Sequence, residues 1–327
     1  MPKLVTIFGG AGFLGRYIAR RMAKEGWRVR VAVRRPNEAL HVRPYGVVGQ
    51  VDPVFCNIRD DDSVRAALAG ADAAINCVGT FDKGGKNKFD AVHVEGAERI
   101  AKISAELGVA QLTHISAIGA DANGDSIYAQ TKAKGEAAVL AAMPDAVILR
   151  PSVMFGPEDN FFNRFGTMAR YSLILPIVGA ETKFQPVYVD DVAKAAVNAT
   201  LGQVAAGTYE LGGPDTQSFR DLMGTMLGVI HRRRLVLNLP FWAASIVAPI
   251  SEITAKLSLG LIPAQITGDQ VRSLKTDNIV ADDAKGFADL GIKPVSMETL
   301  LPEYLWRFRP SGQFDAIKDS AKNLRTQ

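Results

Sequence analysis

The stretch "FGGAGFLGR", residues 8–16, decides the fold. It ends the strand-like run "KLVTIFG" (3–9) and opens a helix, "GFLGRYIARRMAKEG" (12–26), in which Phe13, Ile18 and Met22 are placed to pack inward. Gly10, Gly12 and Gly15 fit the G-x-G-x-x-G dinucleotide fingerprint, and Gly9, Gly12 and Gly15 fit G-x-x-G-x-x-G at the same time. The glycines serve three physical ends. One makes the tight turn, one lets the backbone approach a pyrophosphate, and one allows close helix–strand packing. The amides that begin the helix, at Phe13 and Leu14, then face the anion.

Working outward, strands and helices alternate. "RVRVAVR" (28–34), "VDPVFCNI" (51–58) and "AAINCVG" (73–79) read as strands, with the helix "DDSVRAALAG" (61–70) between the last two. A helix "FDAVHVEGAERIAKISAELG", a strand "QLTHISAIG", a helix containing "YAQTKAKGE" (128–136) and the strand "DAVILRPSVMFG" follow. Helices of this length between strands mean right-handed crossovers. The prediction is an α/β protein with a Rossmann-type doubly wound parallel sheet, helices on both faces and a smaller C-terminal lobe. Residues 1–156 form the dinucleotide-binding core, and 157–327 a mixed region that returns strands to the core and builds the lobe.

The second strand indicates which dinucleotide is bound. NAD sites place an acid about twenty residues beyond the glycines, on the ribose hydroxyl. Here that position reads "VAVRRP", with Arg34 and Arg35 and no carboxylate. A guanidinium pairs with the additional phosphate of NADP, worth about 1.5–3 kcal/mol for a charged hydrogen bond, so NADP(H) is preferred. Alternatively the two arginines decorate a solvated loop. The chain of 327 residues is 47% apolar and 22% charged with a net charge of +4, ordinary for a soluble protein and too weakly basic to argue for nucleic acid. Cys56 and Cys77 end buried strands and read as core thiols, and the N-terminus, running directly into a strand, reads as one without a targeting segment.

Tyr128 and Lys132 are four residues apart and share one helix face. An ammonium beside a phenol favours the phenolate, so the pair could exchange protons near neutral pH. The same spacing also occurs on helices without chemistry.

With the glycine loop, "VAVRRP", "FCNIRD", "INCVG", "HISAIGAD" and "YAQTK" in this order, the chain resembles the short-chain dehydrogenase/reductase superfamily, in its extended and atypical branches. The resemblance implies that Asn57 and Ile58 border the adenine, that Cys77, Val78 and Gly79 line the cofactor cleft, and that Tyr128 and Lys132 hold the catalytic positions. Pro151 and Ser152 would close over the nicotinamide. The extended branch follows its fifth strand with a pair of hydroxyl residues, but this chain has Ser116–Ala117. The assisting hydroxyl is missing unless Ser116 serves. A lost catalytic donor costs a factor of about 10²–10⁴, which makes Tyr128 and Lys132 cofactor-binding residues first.

In the second half, "RPSVMFGPEDNFFNRFGTMAR", "KFQPVYVDDVAKAAVNA", "YELGGP" and "ITGDQVRSLKTDNIV" are similar to the nucleotide-binding accessory subunits of respiratory complex I and their bacterial relatives. This resemblance implies tightly bound NADPH, attachment to other complex I subunits near the quinone and membrane junction, and no turnover. The implied location is peripheral, on the cytoplasmic face of a bacterial inner membrane. The alternative is a free-standing NADP-dependent reductase or epimerase.

The remaining candidates have plainer readings. His93 is a packing histidine, and no His, Cys or carboxylate spacing suggests a metal. Asp190 and Asp191 sit at a strand-to-helix junction and read as helix-terminus acids. "HRRRL" (231–235) is a solvated face or a contact for acidic lipid headgroups. The apolar stretch 239–266, with Phe241, Trp242, Ile246, Val247 and Ile250, is too broken to span a bilayer and reads as a docking surface or as lobe core.

Overall fold

The structure is a computed structural model and describes residues 2–81, 85, 88–245 and 267–314. Its central strands are β1 (Leu4–Phe8), β2 (Arg28–Val33), β3 (Val51–Phe55), β4 (Ala73–Asn76), β5 (Gln111–Ile115), β6 (Val147–Pro151) and β11 (Gly207–Leu211). These seven form one parallel sheet in the spatial order β11-β6-β5-β4-β1-β2-β3. The first six alternate with α1 (Phe13–Lys24), α2 (Asp61–Leu68), α3 (Glu95–Glu106) and α4 (Ile127–Ala142), and α6 (Val189–Thr200) precedes β11. Helix α1 packs against α6, while α2, α3 and α4 pack in series. Every residue of β1 is buried, as a parallel strand covered on both faces requires.

The chain forms two units by its internal contacts. One comprises Met1–Ser152, Val189–Gly212 and Val280–Pro294; the other comprises Val153–Tyr188, Gly213–Ile279 and Val295–Gln327. In the sheet unit, β1 lies between β2 and β4, with Ile7 opposite both Val31 and Ile75. The strand order reverses at the β1/β4 boundary. In sheets of this kind, ligands bind beyond the carboxyl ends of the strands at such a point, and the glycine loop follows β1 there.

Local chemistry fixes the helices. The Asp60 carboxylate caps α2 by accepting from the amides of Asp62 and Ser63, and Ser126 caps α4 by accepting from Ala129. Arg21 and Lys24 lie in the last turn of α1, where the helix dipole favours cations. Asp190 does more than compensate a dipole: its two oxygens accept from Nε and Nη2 of Arg21, both at 2.7 Å, and so tie α6 to α1. Of the residues expected to face inward on α1, Ile18 and Met22 are fully buried and Phe13 is half-buried.

The helix expected from Phe89 begins as one wide turn, Asp90–Val94, wound with π-type bonding before α3. Helix α4 packs closely on this turn at Gly135, where a Cβ would come within 2.1 Å of the His93 carbonyl oxygen.

The second unit has its own core. Its helices α5 (Phe162–Tyr171) and α7 (Phe219–Val229) and the helix Met297–Leu305 bury Phe162, Leu222, Met226 and Leu301 together with Phe155 and Leu175. Asp159, from "FGPEDN", is buried there and accepts from the amides of Gly156, Phe161 and Asn163 and from the Tyr304 hydroxyl at 2.7 Å. Burial raises its pKa, and those four bonds oppose the rise. The strands of this unit pair in twos. Short β7 (Met154–Phe155) lies beside β10 (Val187–Tyr188), and β9 (Lys183–Phe184) beside β12 (Gln217–Ser218). The longer β8 (Ile174–Val178) and β13 (Leu235–Leu239) form a separate parallel ribbon.

Candidate functional site

At Gly9 the backbone adopts φ +74°, a left-handed conformation that side chains disfavour, and this turn sends the chain from β1 into α1. The Gly9 amide donates to Ala32 and the Gly12 amide to Gly9. Gly15 is under the strictest demand: a Cβ there would lie 2.4 Å from the Gly9 carbonyl oxygen and 2.6 Å from the Gly10 Cα. Helix α1 can therefore meet the loop only without a side chain at that position. Gly12 is exposed and caps α1 with no side-chain hydrogen bond, and the first turn carries no acid. The positive end of α1 thus presents its amides without a competing carboxylate, an arrangement that suits a pyrophosphate.

The remaining candidates line up along the same ends of the strands. A Cβ on Gly9 would touch the backbone of Cys77 and a methyl of Val78 at 3.3 Å, so the loop after β4 lies directly on the glycine turn. One on Gly79 would stand 3.9 Å from Lys132 Nζ. Lys132 is buried, and its Nζ donates to the Ile115 carbonyl at 3.1 Å. Next along β5 comes Ser116, whose amide donates to Leu149 while its buried Oγ has no hydrogen-bond partner among the described residues. Pro151 and Ser152 follow on β6, with the Pro151 carbonyl accepting from Ile118 and the Ser152 amide donating to Leu211. The orphaned Ser116 hydroxyl follows directly on the residue whose carbonyl holds the buried Lys132 ammonium, and a ribose could satisfy both groups.

Arg34 and Arg35 emerge exposed at the end of β2. Arg35 bonds Glu38 at 3.0 Å, whereas Arg34 forms no ion pair among the described residues. Asn57 and Ile58 follow β3; the Asn57 amide donates to Ser63, and the Ile58 carbonyl accepts from Arg99. Residues 34, 35, 57 and 58 therefore lie at the ends of the two strands beyond the glycine loop.

The Tyr128–Lys132 pair differs from its sequence expectation. Lys132 Nζ lies 6.0 Å from the centre of the Tyr128 ring. Burial pushes the phenol up to about 12 and holds the ammonium down at about 8. Desolvation outweighs the attraction that was expected to favour the phenolate. Rings surround the tyrosine: Phe81 stacks on it at 5.3 Å and 15°, and Phe89 and His93 meet it edge-on at 6.0 and 5.5 Å.

His93 is more constrained than a packing residue needs to be. Its Nε2 accepts from the Thr80 amide at 3.1 Å, which places the proton on Nδ1, facing Thr131 Oγ1 at 3.1 Å. Thr131 in turn donates to the Ile127 carbonyl. Burial, with the Lys132 charge second, lowers the imidazole to about 3, so it stays neutral. These contacts are 13 and 38 residues apart in sequence, and no motif announces them.

Helix α4 is held by an ion network. Arg150 on β6 donates to both oxygens of buried Glu136 at 2.9 and 2.6 Å and to Glu210 at 3.3 Å. Removing one member of such a pair costs about 3–5 kcal/mol when it is buried, and somewhat less here because Arg150 is partly exposed. The network fixes the register of the helix that carries Tyr128 and Lys132. Among the described residues there is no cluster of His, Cys, Asp or Glu able to hold a metal ion.

In the apolar stretch, Phe241 is partly buried and packs with Val178, Ala244 and Val271, while Trp242 is 71% exposed. Ile246, Val247 and Ile250 lie outside the described residues. Among the described residues, no helix is long and apolar enough to cross a membrane.

Residues 5–212 match the NAD dependent epimerase/dehydratase family. The chain is 36% identical over 316 residues to the mitochondrial NADH dehydrogenase [ubiquinone] 1 alpha subcomplex subunit 9 of Arabidopsis thaliana, covering 94% of this chain and 79% of that one. It is 31% identical over 322 residues to the mitochondrial NADH-ubiquinone oxidoreductase 40 kDa subunit of Neurospora crassa, covering 98% and 83%. Among solved structures, the Thermus thermophilus UDP-glucose 4-epimerase in complex with NAD superposes with a TM-score of 0.69 at 17% identity, over 94% of this chain and 99% of that one.

Proposed function

The chain belongs to the NAD dependent epimerase/dehydratase family, and within it we propose a non-catalytic, NADPH-binding accessory subunit of a proton-pumping NADH:quinone oxidoreductase. The observation that carries this reading is the extent of the match. Relatives named as subunits of that complex share nearly the whole chain, including the unit that follows the dinucleotide loop. In this role the protein attaches to other subunits near the quinone and membrane junction. It stabilises that junction from the cytoplasmic face of a bacterial inner membrane without crossing it.

The site supports binding over turnover. The glycine turn and the N-terminus of α1 would hold the pyrophosphate, Arg34 the additional phosphate, and Lys132 with Ser116 and Tyr128 the ribose next to the nicotinamide. Asn57 and Ile58 would border the adenine, and Cys77, Val78, Gly79, Pro151 and Ser152 would line the remainder. When bound, the dinucleotide could supply a hydride. Proton delivery alongside it works best with a phenol poised near neutrality and assisted by a second hydroxyl, whereas burial raises Tyr128 and residue 117 is alanine.

A second reading, a free-standing NADP-dependent reductase or epimerase, rests on the retained Tyr128–Lys132 pair. Turnover separates the two. The purified protein given NADPH and a panel of aldehydes and ketones should oxidise it no faster than buffer does. Tyr128→Phe should keep its nucleotide, and the ultraviolet difference spectrum between wild type and that variant should show no phenolate below about pH 10, the ordinary phenol value. Carbonyl-dependent NADPH oxidation that Tyr128→Phe abolishes would establish the second reading.

A further inference from the structure

We infer that the outer face of the β8–β13 ribbon, with the end of α5, is a contact surface for an anionic lipid bilayer. The inference rests on the membrane-peripheral reading above and identifies the face that meets the lipid. Parallel strands are ordinarily covered on both sides. Here the inward residues Leu175 and Ile177 are buried, whereas Ile174 and Leu235, paired in register on the other face, are 44% and 62% exposed; farther along that face Val178 is covered by Phe241 and Val271. Leu237 is 43% exposed, and Tyr171 and Leu173, at the entrance to β8, are 80% and 74% exposed. Isolated exposed apolar residues are ordinary. A continuous set on one ribbon marks a contact.

Charge identifies the occupant. The described segments that build this face, residues 161–180 and 222–245, contain Arg164, Arg170 and Arg232–Arg234 and not one aspartate or glutamate. Arg170 is exposed and sits over the Tyr171 ring at 5.7 Å, and Arg233 is exposed at the start of β13. Arg232 and Arg234 are anchored on the Phe308 and Ala169 carbonyls at 2.7 and 2.8 Å, which holds the basic rim in place. Three guanidiniums gather here: after burial itself, the charges of Arg234 and Arg170 hold Arg232 below its ordinary pKa. Leu235 also borders a groove of mixed charge, with Glu181, Lys183, Arg220 and Asp221, so the anionic preference belongs to the Tyr171 side. An apolar centre carrying a tyrosine and rimmed by arginines fits an interface of acyl chains and phosphate headgroups.

The test is sedimentation of the full-length protein with vesicles of phosphatidylcholine alone or mixed with phosphatidylglycerol. Wild type should bind the mixed vesicles and release in high salt, and binding to phosphatidylcholine alone should be weak. Arg233→Gln should weaken binding about fivefold, the effect of one basic residue at such a surface. Leu237→Glu should weaken it further while the protein melts as wild type does and keeps its nucleotide. Wild-type binding by Leu237→Glu, or equal binding to both vesicle types, would overturn the inference. Failure of the wild type to bind vesicles while it still co-purifies with the respiratory complex would also overturn it and point to a protein partner on this face. Failure in both assays would remove the underlying reading as well.

Discussion

Gly15→Val should leave the purified protein with no dinucleotide. A side chain at residue 15 would begin 2.4 Å from the Gly9 carbonyl oxygen, so α1 must withdraw from the loop and carry its first amides away from the pyrophosphate. Losing two charge-assisted hydrogen bonds at roughly 1.5–3 kcal/mol each lowers affinity by about 100-fold or more. Overpacking of this kind also costs about 1–3 kcal/mol of stability. The measurements are chromatography of the nucleotide released on denaturation and a melting curve for the same sample. A folded variant carrying a full complement of dinucleotide would refute the placement of the pyrophosphate.

Arg34→Ala should collapse the preference for NADPH over NADH by about one to two orders of magnitude, the worth of one charged hydrogen bond. Arg35→Ala should do less, because its guanidinium is already bonded to Glu38. Titration calorimetry with both reduced dinucleotides measures the ratio. An unchanged ratio in Arg34→Ala would mean that the arginines after β2 only decorate a loop. The prediction concerns discrimination alone, since the glycine loop binds the pyrophosphate common to both dinucleotides.

The sheet and the glycine turn are legible in the sequence because their signals are local. Alternating apolar strands and amphipathic helices impose the crossovers, and the glycines at positions 9, 12 and 15 impose the turn. What the sequence does not show depends on burial and on contacts between distant residues. Helical spacing suggests that Lys132 lowers the Tyr128 pKa, and the net shift is instead upward because spacing gives proximity and says nothing of solvation. Desolvation is the larger force here. Phe81 and His93 meet Tyr128 across 47 and 35 positions and cannot be paired with it by pattern. The exposed β8–β13 face is hidden for a related reason. No pattern pairs "SLILPIVG" with "RLVLNLP", and only the packing shows Ile174, Leu235 and Leu237 exposed, among the described residues, on one side of that pairing.

The proposed role is that of a nucleotide-holding subunit of a larger respiratory assembly. Its most direct test is to solubilise native membranes in mild detergent, capture the tagged chain, and assay the eluate for NADH:quinone oxidoreductase activity and for released nucleotide. The activity should elute with the chain, and the nucleotide should be NADP(H), close to one per chain. Elution of the chain alone, with NAD(H) or without nucleotide, would contradict it.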